Sequence, residues 1–428
     1  MILENKNNIN IQYLTYLLLC IPLFLISGPF LTDLIVVIFS IFFLVNFQKF
    51  VFEKKFKYFL VTFIIFYILI NISSFLSDHI IISLKSSFFY FRFIFFAIVI
   101  AILIQNLRNN FKFLKLFNNL FFAIITFFFI DSLFQFVYGN NLFGQSVVGQ
   151  LEKERVSSVF GKELILGSFI SKIMFIFLGL FNLQNKLIKN KYYNYKTIYI
   201  ISLCILIILM SGERAALVMS LLGTLIYLTI TKNFKTILII FTIIIVFFSI
   251  INLSKDSKKR YLLKYKVLYD TIFVYKQLGS STHVNHFKTA FKMYEDKKLF
   301  GHGIKSFRNK CNLEKYSGKT TSCSTHPHNY YIQVLASTGT LTFICLSILF
   351  LFLTHQLFIC LKKSYIKNYL DKEKISYLIS SFLAIFPLTT TGSFFNNWIS
   401  ATIFLSFGFL VSTYDVIFYK SKFTTKKI

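Results

Sequence analysis

Long apolar runs alternate with short polar breaks along almost the whole chain, and most runs exceed the length of a strand or a buried helix in a water-soluble protein. A helix needs roughly 20 apolar residues to cross the hydrocarbon, where lipid offers its backbone no hydrogen-bond partner. On that measure the pattern predicts about twelve spans, near residues 11–27, 30–47, 58–76, 87–105, 116–138, 163–181, 197–212, 214–231, 236–253, 329–359, 376–393 and 397–418. No spanning strands are expected, because a membrane barrel needs segments of alternating polarity. The predicted fold is an all-α integral membrane protein. The apolar start, Tyr13 to Ile26, has no small-residue cleavage site after it, and Gly28-Pro29 reads as a turn, so it counts as the first span rather than a signal peptide.

One polar segment breaks the rhythm, dividing the chain into nine spans over 1–253, a large loop over 254–327 that is expected to contain short helices, and three spans with a tail over 328–428. Lys and Arg of short loops stay in excess on the cytoplasmic side. Alternate loops carry Lys49, Lys54, Lys55 and Lys57, then Arg108, Lys112 and Lys115, then Lys186, Lys189 and Lys191, then Lys232 and Lys235, then Lys362, Lys363 and Lys367. Both termini are therefore expected in the cytoplasm, and the loop over 254–327 on the periplasmic side of a multi-pass protein of the bacterial inner membrane.

Composition agrees, since 56% hydrophobic against 15% charged residues is too apolar for a soluble domain of this length. The net charge of +29 would suit nucleic acid. Much of it sits in short cytoplasmic loops, however, where it fixes topology and meets anionic membrane lipid, so no nucleic-acid partner is expected.

The long loop is basic, running from Lys255 and Arg260 through Lys297, Lys298, Lys305 and Arg308 to Lys319 against five acidic residues. Such a loop is either merely solvated or suited to an anionic lipid head or a pyrophosphate. Five of the seven histidines, His283, His286, His302, His326 and His328, fall in or beside it. His283-x-x-His286 and His326-x-His328 have zinc-like spacing, but no Cys/His/Glu set of metalloprotease or finger type accompanies them, so no metal is expected. Packing or solvation is the default for the isolated His79 and His355. His326-Pro327-His328-Asn329 stands apart because it opens a helix at the membrane surface. Cys311 and Cys323 share the loop and are disulfide candidates in an oxidising compartment, with free thiols as the alternative. Arg155, Glu163, Glu213 and Arg214 lie at the edges of spans, where ionisable groups are costly unless paired or used. The alternative for Glu213 and Arg214 is a cap and pair at a short outer turn, Arg92 is read as a charge paired inside the bundle, and Lys172 has no assigned role.

The stretch His326 to Leu341, HPHNYYIQVLASTGTL, resembles the signature of the O-antigen ligase and O-antigen polymerase family, with His328 and Asn329 opening a helix and Gly339 ten residues after the Asn. Thr342 stands where the family often has a second Gly. Ser211-Gly212-Glu213-Arg214-Ala215-Ala216 resembles the family's Ser-Gly-Glu-Arg box, and RVSSVFGKELILGSF from Arg155 to Phe169 its Arg-Ser-Phe-Gly segment. Asp131 to Gly144, with Gln135 and Gly139, and Gly301-His302-Gly303 also fit.

The resemblance implies a glycosyltransferase that moves a glycan from a polyprenyl-diphosphate carrier to an acceptor hydroxyl at the periplasmic face, with neither cofactor nor metal. Arg214 and Arg155, helped by Arg308 and Lys305, would stabilise the diphosphate leaving group. His328 is the first choice of base, with Glu163 or Glu213 as its rival. His326 and Asn329 join Arg308 and Lys305 as substrate-binding candidates. The acceptor is lipid A-core for a ligase, the reading preferred, or the next lipid-linked repeat for a polymerase. A lipid-glycan transporter or flippase is the alternative of another class, against which stands the lack of an internal repeat.

Overall fold

The computed structural model describes residues 9–52, 54–148, 155–188, 193–232, 245, 249, 282–317, 323–366, 370–414 and 417–419. The expected ninth span and the loop as far as residue 281 lie outside these, Ile245 and Ser249 apart.

The described chain is α-helical, with one small antiparallel ribbon. Its helices are α1 (Ile9–Ile26), α2 (Pro29–Asn46), α3 (Lys54–Phe75), α4 (Ile80–Ser87), α5 (Phe91–Leu107), α6 (Phe111–Tyr138), α7 (Leu166–Ile188), α8 (Tyr193–Ser211), α9 (Arg214–Thr231), α10 (Thr282–Asp296), α11 (Phe307–Lys310), α12 (Tyr330–Ile366), α13 (Lys372–Ala384) and α14 (Asn397–Val411). In the ribbon, β1 (Phe50–Phe52) pairs with β2 (Ile417–Tyr419). Among the described residues seven helical stretches are long and apolar enough to cross a membrane, and Tyr13–Ile26, Phe59–Phe75 and Asn397–Val411 are shorter apolar helices. About twelve spans were expected.

Two compact units share the chain. The first takes Met1–Leu107, Thr282–Leu353 and Ile385–Ile428. Its core rests on a close approach of α5 and α14, where a Cβ on Gly408 would fall 2.8 Å from Ile100 Cβ and 2.9 Å from the Ala97 carbonyl oxygen. Small residues let helix backbones meet in this way, which matters where lipid removes the hydrophobic drive to pack. Trp398 Nε1 donates to the Leu25 carbonyl at 2.9 Å, tying α14 to α1.

The second unit takes Arg108–Ser281 and Thr354–Ala384. Here Gly179 of α7 lies under the Tyr377 ring of α13, and Asn182 Nδ2 donates to Ser376 Oγ at 3.0 Å and to the Lys372 carbonyl at 3.1 Å. Fully buried Glu373 accepts from Arg108 at 2.7 Å and Lys186 at 2.8 Å, and Lys186 also meets Asp371 at 2.8 Å. A buried carboxylate without such partners would be strongly destabilising.

Two expected spans are altered. The span expected over 376–393 is helical only to Ala384, and the chain from Ile385 to Asn396 is not helical. Pro387 disfavours a helical residue before it and supplies no N–H, and three threonines and Gly392 follow. The span expected over 329–359 is two helices joined at Gly339, whose φ of 78° and ψ of −176° break the run.

Candidate functional site

In the first unit the break in α12 is held by residues 298–303. His302 N–H donates to the Ala336 carbonyl at 3.2 Å, Gly303 N–H to the Ser337 carbonyl at 2.7 Å, and Thr340 N–H to the Lys298 carbonyl at 2.9 Å. Carbonyls orphaned by a helix end need such partners. Gly339 itself has no alternative, because a Cβ there would overlap the Leu299 carbonyl. Gly303 is pressed as closely on Ser77 and Ser83, so the Gly301-His302-Gly303 motif is a packing device.

His302 is wholly buried, with Nε2 2.8 Å from the Met293 carbonyl and Nδ1 2.9 Å from Lys310 Nζ. An ammonium can only donate, so Nδ1 accepts and Nε2 carries the proton. Burial, then the Lys310 charge, pushes its pKa down to about 4. Lys310 pairs with Asp78, and Lys297 meets the other Asp78 oxygen at 3.2 Å, holding that carboxyl down at about 2. Cys311 is bonded to Cys323 with Cα atoms 5.1 Å apart, and Cys311 lies in a buried cluster with Ala290, Met293, Phe307, Tyr316 and Ala336. These groups fasten the C-terminal part of the long loop.

His286, His326 and His328 come together at the mouth of α12. The His326 and His328 rings lie 4.2 Å apart between centroids, and His286, buried on α10, stacks on His328 at 5.3 Å. His328 sits in the left-handed region at φ 59°, a conformation uncommon outside Gly but more frequent for His. Asn329 is the cap of α12: its Oδ1 accepts from Tyr331 N–H at 3.0 Å and Ile332 N–H at 3.1 Å. Its Nδ2 donates to the carbonyls of Pro387 at 2.6 Å and Thr389 at 3.1 Å. Every donor and acceptor direction of that amide is thereby occupied by backbone, so its side chain ties the start of α12 to the segment at Pro387–Thr389.

Thr391 brackets the same histidines, its N–H donating to the His328 carbonyl at 2.8 Å and its carbonyl lying 3.2 Å from His326 Nε2. Gln333 completes the seam, donating to Ser393 Oγ at 2.8 Å and accepting from Phe394 N–H at 2.8 Å. Elsewhere in this unit Arg92 pairs with Asp33 at 2.7 Å, as its place within an apolar stretch requires. Lys305, half-buried at φ 63°, is held below the usual lysine range by burial and then by the charges of Arg308 and Arg92. Arg308 is exposed.

In the second unit a polar scaffold sets the Arg155 segment. Buried Asp131 accepts from Leu142 N–H at 2.9 Å and from the Ser158 hydroxyl, and Gln135 Oε1 accepts from Ser157 N–H at 3.1 Å and Ser158 N–H at 2.7 Å. Arg155 exchanges two backbone bonds with Val148, at 2.9 and 3.1 Å. Glu213 turns onto the neighbouring helix: Oε1 accepts from Gly167 N–H at 2.6 Å and Oε2 from Ser168 N–H at 3.1 Å, capping α7. Burial raises its pKa, opposed by those two bonds and by the charges of Arg155 and Lys172. Gly167 is required there, since a Cβ would fall 2.5 Å from Ser211 Oγ.

Arg214 opens α9 with its side chain exposed, and no side chain caps that helix end. A guanidinium at the positive end of a helix dipole is unfavourable without an anion, and helix N-terminal N–H groups also bind anions. Glu163 is exposed. Among the described residues no group of three or more His, Cys, Asp or Glu side chains is disposed to hold a metal ion. Sequence reasoning weighed His286 only as part of a zinc-like spacing, and it gave the segment around Thr391 no functional role. Pro387 followed by Thr-Thr-Thr-Gly inside an apolar stretch was the available signal.

The described chain is thus helical, with apolar helices long enough to cross a membrane, and each unit carries ionisable side chains near its helix ends. Residues 199–347, about a third of the chain, match the O-antigen ligase family model, which supports a glycosyltransferase-type membrane protein. The curated proteins contain no match to the chain.

Proposed function

We propose that the protein transfers an O-antigen or related polysaccharide from a polyprenyl-diphosphate carrier to a hydroxyl of lipid A-core, at the periplasmic face of the inner membrane, with residues 254–327 as a lid. The reading is carried by one observation: the segment matching the O-antigen ligase family includes both exposed Arg214 and the His286–His326–His328 stack. His328 takes the proton of the acceptor hydroxyl, whose oxygen then attacks the anomeric carbon as the bond to the carrier diphosphate breaks. Arg214 and Arg155 stabilise the departing diphosphate, with Lys305 and Arg308 contributing positive charge. His326 bears on the same imidazole. Glu213 serves as the cap of α7, and exposed Glu163 is the lesser candidate for a base.

The test is glycan display by a deletion strain carrying wild type, His328→Ala or Arg214→Ala at equal membrane expression, with carrier-linked intermediates quantified. Long carrier-linked chains should accumulate in both variants. Accumulation of single repeats would identify a polymerase instead, and unchanged glycans and carrier pools would overturn the catalytic assignment.

A further inference from the structure

The non-helical segment Ile385 to Asn396 has the attributes of a binding element. Irregular backbone within an apolar stretch of a membrane protein is tolerated where it is buried in protein or lines a wet cavity. Here it is stitched to the start of α12 by Asn329, Gln333 and Tyr331, whose hydroxyl donates to the Ile385 carbonyl at 3.0 Å. Four hydroxyl residues fall within five positions, Thr389, Thr390, Thr391 and Ser393. Thr391 Oγ1 is buried with no hydrogen-bond partner, Thr390 is exposed, and Thr389 Oγ1 makes only a 3.4 Å bond to the next carbonyl. An unsatisfied buried hydroxyl costs free energy that a ligand hydroxyl would recover.

The charge pattern narrows the ligand. No Asp, Glu, Lys or Arg occurs from Ile375 through Tyr414, so the segment offers hydroxyls and backbone groups but no cation to balance the charge of a diphosphate. A purely apolar carrier chain would gain nothing from a run of hydroxyls. The remaining chemistry is a neutral polyol.

We propose that Thr389 to Ser393 binds the acceptor sugar and presents its hydroxyl to His328. The link is direct: Thr391 N–H donates to the His328 carbonyl at 2.8 Å, and its carbonyl lies 3.2 Å from His326 Nε2. The bonds that fix the loop therefore also fix the imidazoles, so a sugar held by the threonines is held in register with the base. This inference rests on the transferase reading above and names the part of the chain that meets the acceptor.

The experiment measures initial transfer rates by the full-length protein in lipid nanodiscs, varying lipid-linked glycan donor and acceptor glycolipid separately, for wild type, Thr390→Val, Thr391→Val and His328→Ala. Valine keeps the shape and removes the hydroxyl. Each threonine variant should raise the acceptor KM by about threefold to tenfold, the loss of roughly one neutral hydrogen bond, while the donor KM stays unchanged. An acceptor KM within about twofold of wild type in folded protein, or a rise in the donor KM instead, would overturn the assignment. Should Thr391→Val fail to fold, exposed Thr390→Val carries the test. Full activity of His328→Ala would remove the underlying transferase reading, whereas loss of activity there with unaltered threonine variants would remove only the acceptor site.

Discussion

Replacing Glu213 by Gln separates two roles that the sequence left open, a helix cap and a catalytic base. The carboxylate accepts Gly167 N–H at 2.6 Å and Ser168 N–H at 3.1 Å, and each hydrogen bond to a charged group contributes about 1.5–3 kcal/mol. Gln retains one carbonyl oxygen for one of these donors and sets its NH₂ against the other. Loss of one bond, softened because the new amide is easier to desolvate than a carboxylate, should destabilise the second unit by about 1–2 kcal/mol, within the usual range for a lost helix cap. Transfer should fall only modestly, because the Arg214 side chain is untouched. The assay pairs thermal unfolding in detergent with initial transfer rates well below the melting midpoint. A general base contributes about 10²–10⁴-fold. An unshifted midpoint with a rate loss of that size would show that Glu213 is the base and that the capping argument is wrong.

Other expectations follow from the packing. Gly339→Ala should abolish folded protein in the membrane, since the left-handed φ of 78° and the Leu299 carbonyl both exclude a Cβ, and detergent-extracted yield measures it. Stability should fall with acid in two windows. His302 is neutral in the fold with a pKa of about 4 against 6.5 ordinarily, so its contribution, at most about 3 kcal/mol, is complete above 6.5 and lost as pH falls toward 4. Asp78 and Asp296, held at about 2, lose a smaller, solvent-screened contribution between 3.8 and 2; melting midpoints against pH follow both, and His302→Gln should flatten the upper window alone. Glu373→Gln leaves the partly exposed Arg108 and Lys186 facing a neutral amide, with Asp371 still beside Lys186, and should cost about 1–3 kcal/mol in denaturant unfolding without changing either substrate KM.

Much of the architecture was legible from hydropathy, because a spanning helix is specified by local composition. Seven of the expected runs fall on helices long and apolar enough to cross a membrane, and the first, third and last fall on shorter apolar helices. Interruptions were harder to read. Gly339 was noticed through the family resemblance, but its reason lies in the Leu299 carbonyl and the His302 and Gly303 amides, which only folding brings to it. Pro387 was visible inside the expected span 376–393, yet the mean apolarity of that window outweighed it. Residue types singled out imidazoles and guanidiniums, and the structure places His328 just before α12 and Arg214 at the start of α9. Which partner each takes was beyond a linear reading: Glu213 serves a helix that begins 47 positions earlier, at Leu166, and His286 stacks on a ring 42 positions away. Long polar side chains choose among many backbone donors, and the choice is made by tertiary geometry.

The seam between residues 298–303 and the broken α12 has a consequence for how such a protein could diversify. Two carbonyls of a membrane helix are satisfied by amides contributed from the polar loop, so helix and loop share one set of hydrogen bonds. A chimaera that exchanged the loop and kept the helix would succeed only if the incoming segment carried glycines equivalent to Gly301 and Gly303 at the same distance from its next helix. Grafts cut on the far side of Lys298 should therefore be tolerated far more readily than grafts cut between Lys298 and Gly339. The anchor over residues 298–303 and the stretch of loop before Lys298 are separate pieces of chain.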